Sequence, residues 1–280
     1  MGLGGYLCWT AVAREIRKRG PNNLLITPVE RHGNNLIVKN SEIFIGNNDF
    51  CLNPIEHQSI GGIIIPLILN DPLSNYCKID TPQRATHRFD KHIIEQYCEP
   101  FGIMNPDLKC YLTPDNSEFI DQIIHQRIGI DDFLTIEPYS NTEYTINRQY
   151  PFDYWQKIVN VLRDKIKIVQ VGVKNKHILD GAIDMTGITT FKNTAGIIGK
   201  SKLFLSTEGG LVHAATAFNT KSIVIITGYQ AQKMIAYPQN INIFIGRHGP
   251  CGLKTECSEC IFDAHEHDYK DIVNAALCEI

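Results

Sequence analysis

The chain has 280 residues, room for two α/β domains of ordinary size or for one large domain. Apolar residues make up 43% and charged residues 20%, the balance of a soluble globular protein, which excludes wholesale disorder. A formal net charge of -3 leaves no excess of cations to neutralise phosphates, which argues against a general nucleic-acid binder.

In chain order, "MGLGGYLCWTAVAREIRKRG" opens with a glycine-rich loop and runs into an amphipathic helix over 6 to 19. Its basic last turn suits the negative helix terminus, and Gly20 suits the cap. Gly4 and Gly5 leave backbone N–H groups bare where an anion could approach the helix start. No strand delivers the chain into this loop, so either the native start lies upstream or this lobe is abbreviated. Arg14, Glu15, Arg17 and Lys18 arrive too early for a secretory signal, which places the protein in the cytoplasm.

Strand-like runs follow at 23 to 29, 35 to 40 and 42 to 46. "SIGGIIIPLIL", at 59 to 69, is too short for a transmembrane segment and reads as a buried strand. A Pro- and Asn-rich loop, "NDPLSNYCKIDTPQRATHR", then leads to a helix over 87 to 99, a strand at 109 to 113 and a helix over 116 to 128. From 132 to 246 the alternation becomes regular: strands at 132 to 138, 166 to 172, 202 to 206, 222 to 227 and 241 to 246 interleave with helices over 151 to 164, 191 to 199 and 210 to 218. A last helix is predicted over 268 to 278. Such alternation means crossover connections and mostly parallel sheets covered on both faces. The change of pattern in "RIGIDD" sets a boundary near 130 between two Rossmann-like lobes, 1 to 130 and 131 to 267, with 268 to 280 as a terminal helix. Ligands of such sheets lie beyond the carboxyl ends of the strands, so the loops after strands are where chemistry is expected.

Two of those loops carry suitable groups. In "TIEPYSNTEYTINRQYPFDYWQKIV", Ser140 and Asn141 can donate to phosphate oxygens and Arg148 can reach the same anion bidentately; the bland alternative is a solvated loop before a Pro-started helix. In "STEGGLVHAA", at 206 to 215, Gly209 and Gly210 bare the backbone at a helix start whose N–H groups would face a diphosphate. Glu208 would repel phosphate, so it suits the hydroxyls of a sugar or ribose as an acceptor. His213, one turn into that helix, is as readily a packed residue as a ligand.

Nine cysteines, an odd number in a chain too large to need stapling, point to reduced thiols. Cys251, Cys257 and Cys260 cluster, with His265 and His267 just beyond. Three thiolates and one imidazole would complete a structural zinc or iron site, although the spacing lacks a second C-x2-C and also fits a packed loop.

Taken together these pieces resemble glycosyltransferase family nine, the heptosyltransferase-like enzymes of lipopolysaccharide synthesis, which have the two-lobed GT-B fold. That family's pattern is a "G-x-G-D" loop opening a helix, a "K-x-W-P" segment, a "G-x-T-x-L" loop and "D-[ST]-G-x-x-H-x-x-A". The counterparts here are "GLGG" with "TAVAREIRK", "RQYP" at 148 to 151, "TGITTF" at 186 to 191 and "EGGLVHAA" at 208 to 215. The resemblance implies a transferase that moves a heptose or related sugar from a nucleotide-sugar donor to a hydroxyl of a carbohydrate, glycolipid or protein acceptor. It implies inversion, no metal at the donor and at most peripheral membrane contact. Gly4, Gly5, Ser140, Asn141 and Arg148 would meet the donor diphosphate, Gly187 and Ile188 the base, and Glu208, Gly209, Gly210 and His213 the donor's phosphate and sugar end. Arg148 and Glu208 would be the catalytic pair, with the last helix crossing back to the first lobe.

The departures are informative. Gly5 stands where the family has the Asp taken as the base, and a glycine cannot take a proton. Glu30, His32 and Glu56 are first-lobe replacements. Without any base the chain would be a decayed nucleotide-sugar-binding subunit; a sugar-nucleotide epimerase is a further alternative.

Overall fold

The computed structural model describes residues 2–59, 61–71, 77–87, 90–139, 142–174 and 177–280. It is α/β, with two lobes, and the sheet of the first is the smaller. The first part of the chain runs α1 (Leu3–Arg19), β1 (Leu24–His32), β2 (Asn35–Val38), α2 (Pro54–Ser59), β3 (Ile63–Ile68), β4 (Cys77–Thr81), β5 (Arg84–His87), α3 (Ile93–Cys98) and α4 (Ser117–Arg127). The second runs β6 (Phe133–Glu137), α5 (Phe152–Leu162), β7 (Lys167–Gln170), β8 (Ala182–Asp184), α6 (Phe191–Lys200), β9 (Leu203–Thr207), α7 (Gly210–Ala217), β10 (Ser222–Ile226), α8 (Gln232–Ile235), β11 (Ile241–Phe244), α9 (Ser258–Glu266) and α10 (Lys270–Leu277).

The second-lobe strands form one parallel sheet in the order β11-β10-β9-β6-β7-β8. Numbered from β6, this is the doubly wound order 3-2-1-4-5-6, whose direction reverses between β6 and β9. Both faces are covered, so the strands are continuously apolar. In β9, Leu203 and Leu205 pack toward Trp155 and Ile158 of α5, while Phe204 packs with Ala214 and Ala215 of α7. The core on the α7 side continues without a break into the first lobe through Leu7, Trp9 and Val12 of α1.

The first lobe departs from the sequence reading in ways its hydrogen bonding explains. Its sheet has the order β2-β1-β3, parallel between β1 and β3 but antiparallel between β1 and β2, which a tight turn with Gly33 at φ +61° connects. The expected mostly parallel sheet therefore holds only in the second lobe. "EIFIG" is a turn that buries Ile43 and Phe44, not a strand. Residues 109 to 113 form no strand, because the Cys110 and Tyr111 N–H groups donate to the hydroxyls of Thr216 and Thr10. The run at 59 to 69 yields an edge strand rather than a buried one: Ile63 is 44% exposed, and Pro66, which cannot donate to a ladder, is tolerated at the edge. The loop after it contains the β4–β5 hairpin.

The end of α1 has the expected cap and basic turn with a different geometry, and one other expectation is corrected. Gly20 ends α1 with φ -99°, so it is no left-handed cap; a Cβ there would fall 2.3 Å from Leu24 Cδ2. The basic last turn of α1 is tied down by acids, with Arg17 Nη1 donating to Asp49 Oδ1 at 2.7 Å and Arg19 Nη1 to Glu15 Oε2 at 2.6 Å. The terminal helix α10 does not cross back: its apolar face, Ile272, Val273 and Ala276, is buried with Trp155 and Ile225 in the second lobe.

Candidate functional site

The strand order reverses between β6 and β9, and sheets of this kind hold their ligands beyond the carboxyl ends of the strands at that point. Glu137 ends β6 and pairs in register with Ser206 of β9. One residue further, β9 ends and Glu208, Gly209 and Gly210 turn the chain into α7. An acid thus stands on each side of the reversal point.

The two acids are held differently. Glu208 is 4% exposed and accepts from the Thr227 N–H at 3.0 Å and the Thr227 hydroxyl at 2.7 Å. Burial pushes its carboxyl up, while the Arg148 charge and the Thr227 bonds pull it back. Glu137 is partly exposed at the end of β6, and its carboxyl accepts from the Ser206 hydroxyl at 3.0 Å with no cation paired to it among the described residues; desolvation raises it to about 7. The Ser206 hydroxyl is also 2.8 Å from the Thr207 carbonyl oxygen. Gly172 and Gly209 flank Glu137: a Cβ would lie 3.4 Å and 4.0 Å from its oxygens.

Arg148 stands across from Glu208, its guanidinium carbon 4.8 Å from the Tyr229 ring centre and 5.6 Å from that of Tyr144. Its Nε is buried and has no hydrogen-bond partner among the described residues. Its charge acts on both Glu208 and His213. Burial first, and the Arg148 charge second, lower His213 to about 4, so this imidazole is neutral at physiological pH. Its Nδ1 lies 2.6 Å from the Tyr237 hydroxyl and 3.8 Å from Cys8 Sγ. When Tyr237 donates to Nδ1, the ring proton is on Nε2.

Gly4 and Gly5 begin α1 directly over α7: a Cβ on Gly4 would lie 3.0 Å from Gly210 Cα and from His213 Cδ2. Glycine at position 4 is thus required by the close approach of two helices. Gly187 has φ +65°, donates its N–H to the Gly172 carbonyl at 2.9 Å and leaves Ile188 44% exposed at the rim. Ser140 and Asn141 lie outside the described residues.

Of the candidate bases, Glu30 is nearest the start of α1, where the Tyr6 hydroxyl donates to it at 3.0 Å and Lys39 pairs with it at 3.2 Å. Burial works upward on Glu30, but the Lys39 and Tyr6 bonds outweigh it and hold the carboxyl below its ordinary value. His32 Nε2 is 3.8 Å from Glu30, whereas Glu56 is exposed on α2 and accepts from Asn53.

The sulfurs of Cys251, Cys257 and Cys260 lie within 4.8 Å of one another, with Cys251 and Cys260 3.4 Å apart. The hydrogen bond from Cys260 lowers the Cys251 thiol to about 6. Neither expected histidine joins them. His267 Nδ1 is 2.9 Å from the Tyr150 hydroxyl, and His265 stacks edge-on to Tyr154.

Sequence reasoning missed Glu137, Thr227 and Tyr237. The first was legible as an acid closing an apolar strand at a sheet's carboxyl edge; the other two are brought in by tertiary packing alone.

No family model and no curated sequence matches the chain. Among solved structures, it is similar to a glycosyl transferase family 9 protein from Veillonella parvula, with a TM-score of 0.61 and 13% identity, covering 88% of this chain and 83% of that one. It is also similar to the E. coli ADP-heptose LPS heptosyltransferase II, with a TM-score of 0.51 and 13% identity, covering 67% of this chain and 61% of that one. The chain therefore has the GT-B fold of the heptosyltransferase-like, family 9 glycosyltransferases.

Proposed function

We propose that the protein is a glycosyltransferase that moves a sugar from a nucleotide-sugar donor to a hydroxyl acceptor, with inversion and without metal at the donor. The observation that carries this reading is Arg148, whose buried Nε has no hydrogen-bond partner among the described residues and whose charge acts on Glu208 at the turn into α7. A buried cation donor without an acceptor is costly, and a diphosphate oxygen would satisfy it. The diphosphate sits between Arg148 and the amides at Gly209 and Gly210, with the nucleoside along Gly187 and Ile188; Ser140 and Asn141, outside the described residues, are further candidate donors to it. Neutral His213 offers Nε2–H, and Glu208 orients the turn while keeping lone pairs for sugar or ribose hydroxyls.

In the transfer, the acceptor oxygen attacks the anomeric carbon as the bond to the leaving diphosphate oxygen breaks. Arg148 and the helix amides take up the charge that develops there. Glu30 takes the acceptor's proton in place of the family Asp that Gly5 replaces. The acceptor is a carbohydrate, glycolipid or protein hydroxyl in surface glycoconjugate synthesis, met in the cytoplasm. The cysteine triad suits a structural zinc or iron ion remote from this chemistry.

A panel of ADP-, UDP- and GDP-sugars tests the reading, first by thermal shift and then by transfer and hydrolysis. Stabilisation by one of them, lost in Arg148→Ala, is expected; no stabilisation by any overturns it. Gly5 favours one second reading, a decayed donor-binding subunit, which predicts binding without turnover.

A further inference from the structure

On the Nδ1 side of His213 lies a group of side chains that the transfer chemistry does not use. Cys8 comes from α1, Cys110 from the segment 109 to 113, His213 from α7 and Tyr237 from the turn after α8, so no spacing in the sequence announces them. The Cys8 and Cys110 sulfurs and a His213 ring nitrogen all lie within 4.8 Å of one another, and Nδ1 is 3.8 Å from Cys8 Sγ. The Tyr237 hydroxyl closes the remaining side, 2.6 Å from Nδ1 and 3.5 Å from Cys110 Sγ. Cys8, Cys110 and Tyr237 are wholly buried; His213 alone is partly exposed.

Two threonines hold this arrangement. The Thr10 hydroxyl donates to the Leu7 carbonyl at 2.6 Å and accepts from the Tyr111 N–H at 2.8 Å. The Thr216 hydroxyl donates to the His213 carbonyl at 2.8 Å and accepts from the Cys110 N–H at 3.1 Å. Residues 110 and 111 are thereby pinned between α1 and α7, whose close approach at Gly4 and Gly210 brings Cys8 to His213. The backbones of all three candidate ligands are fixed in advance. Zinc bonds of about 2.3 Å to thiolate and about 2.0 Å to imidazole put neighbouring ligand atoms of a tetrahedron roughly 3.5 to 3.8 Å apart, so side-chain shifts on the order of 1 Å close the set. Two thiolates also cancel the charge of a zinc ion, so no net charge would be buried.

We propose that Cys8, Cys110 and His213 Nδ1 bind a zinc ion, with the Tyr237 oxygen on its fourth side. The site uses none of Cys251, Cys257 and Cys260. Binding releases the two thiol protons to solvent and replaces the hydrogen bond between Tyr237 and Nδ1. The ion staples α1 of the first lobe to α7 of the second. By occupying Nδ1 it also fixes the His213 proton on Nε2. It touches no donor, so the site stands whether or not nucleotide sugars bind.

The test uses the full chain carrying Cys251→Ser, Cys257→Ser and Cys260→Ser, stripped of metal under a phosphine reductant and titrated anaerobically with Co(II). Uptake of one Co(II) per chain is expected, with thiolate-to-cobalt charge-transfer bands in the near ultraviolet, the visible bands of a tetrahedral ion, and bleaching by one equivalent of zinc. Cys110→Ala in the same chain, checked for folding by its melting transition, should lose the charge-transfer bands. Absence of bands, or bands that survive Cys110→Ala, overturns the proposal. Should the triple variant fail to fold, the wild-type and Cys110→Ala chains are compared instead: the bound cobalt must fall by one ion per chain, and an unchanged count overturns the proposal.

Discussion

The acids of the two lobes are shifted in opposite directions. In the first lobe Glu30 is paired with Lys39 and held low, a carboxylate at all physiological pH. In the second, Glu208 is buried and Glu137 half-buried, both are pushed up by desolvation, and Glu137 has no paired cation among the described residues. The same side chain is thus stabilised as a carboxylate by a lysine and a tyrosine in one lobe and disfavoured as a carboxylate by desolvation in the other. What differs is how much of each residue's surroundings water and lysine can reach.

That contrast can be broken from either side. If Glu30 is the base, Glu30→Gln should lower the transfer rate by about 10²- to 10⁴-fold with donor affinity unchanged, measured by steady-state kinetics beside calorimetry. Equal loss of binding would reassign Glu30 to structure. Arg148→Ala should weaken nucleotide-sugar binding by about a hundredfold, and Arg148→Lys should recover only part of it, because the fork is lost while the charge stays.

For Glu137 the sign of the stability effect is fixed by linkage. Its folded value of about 7 lies above the ordinary 4.5, so the folded state binds more protons between those limits. Stability from this group is therefore present below pH 4.5 and declines as pH rises toward 7. Glu137→Gln should consequently stabilise the protein near pH 8 by roughly 2 kcal/mol and have little effect near pH 5, read from denaturant midpoints at both pH values. The smallest effect expected is that of Thr227→Val, which removes one of the two donors to Glu208 and should cost about 1 kcal/mol.

The second lobe was legible in the sequence because its strands, buried on both faces, form continuous apolar runs between amphipathic helices. The run 202 to 206 and the glycine turn after it fall where β9 and α7 begin. The first lobe was harder to read because apolar runs there serve other ends. Ile43 and Phe44 are buried from a turn, and the segment at Cys110 satisfies its backbone with threonine hydroxyls instead of a partner strand. In the site, glycines and charged residues after strands were visible as motifs. The state of each acid was not, since it depends on Lys39, Ser206 and Thr227, which are set beside the acids by the fold and not by spacing.

The core that begins at Leu7 and Trp9 of α1 and continues to Ala214 and Val224 has a practical consequence. Lys192 of α6, almost fully buried, reaches over to the Ile45 carbonyl at 2.9 Å and to Asp115 at 2.7 Å. Expressing either half of the chain by itself would expose a broad oily seam and strand a lysine in it, so the separated pieces should aggregate where the intact polypeptide stays dispersed.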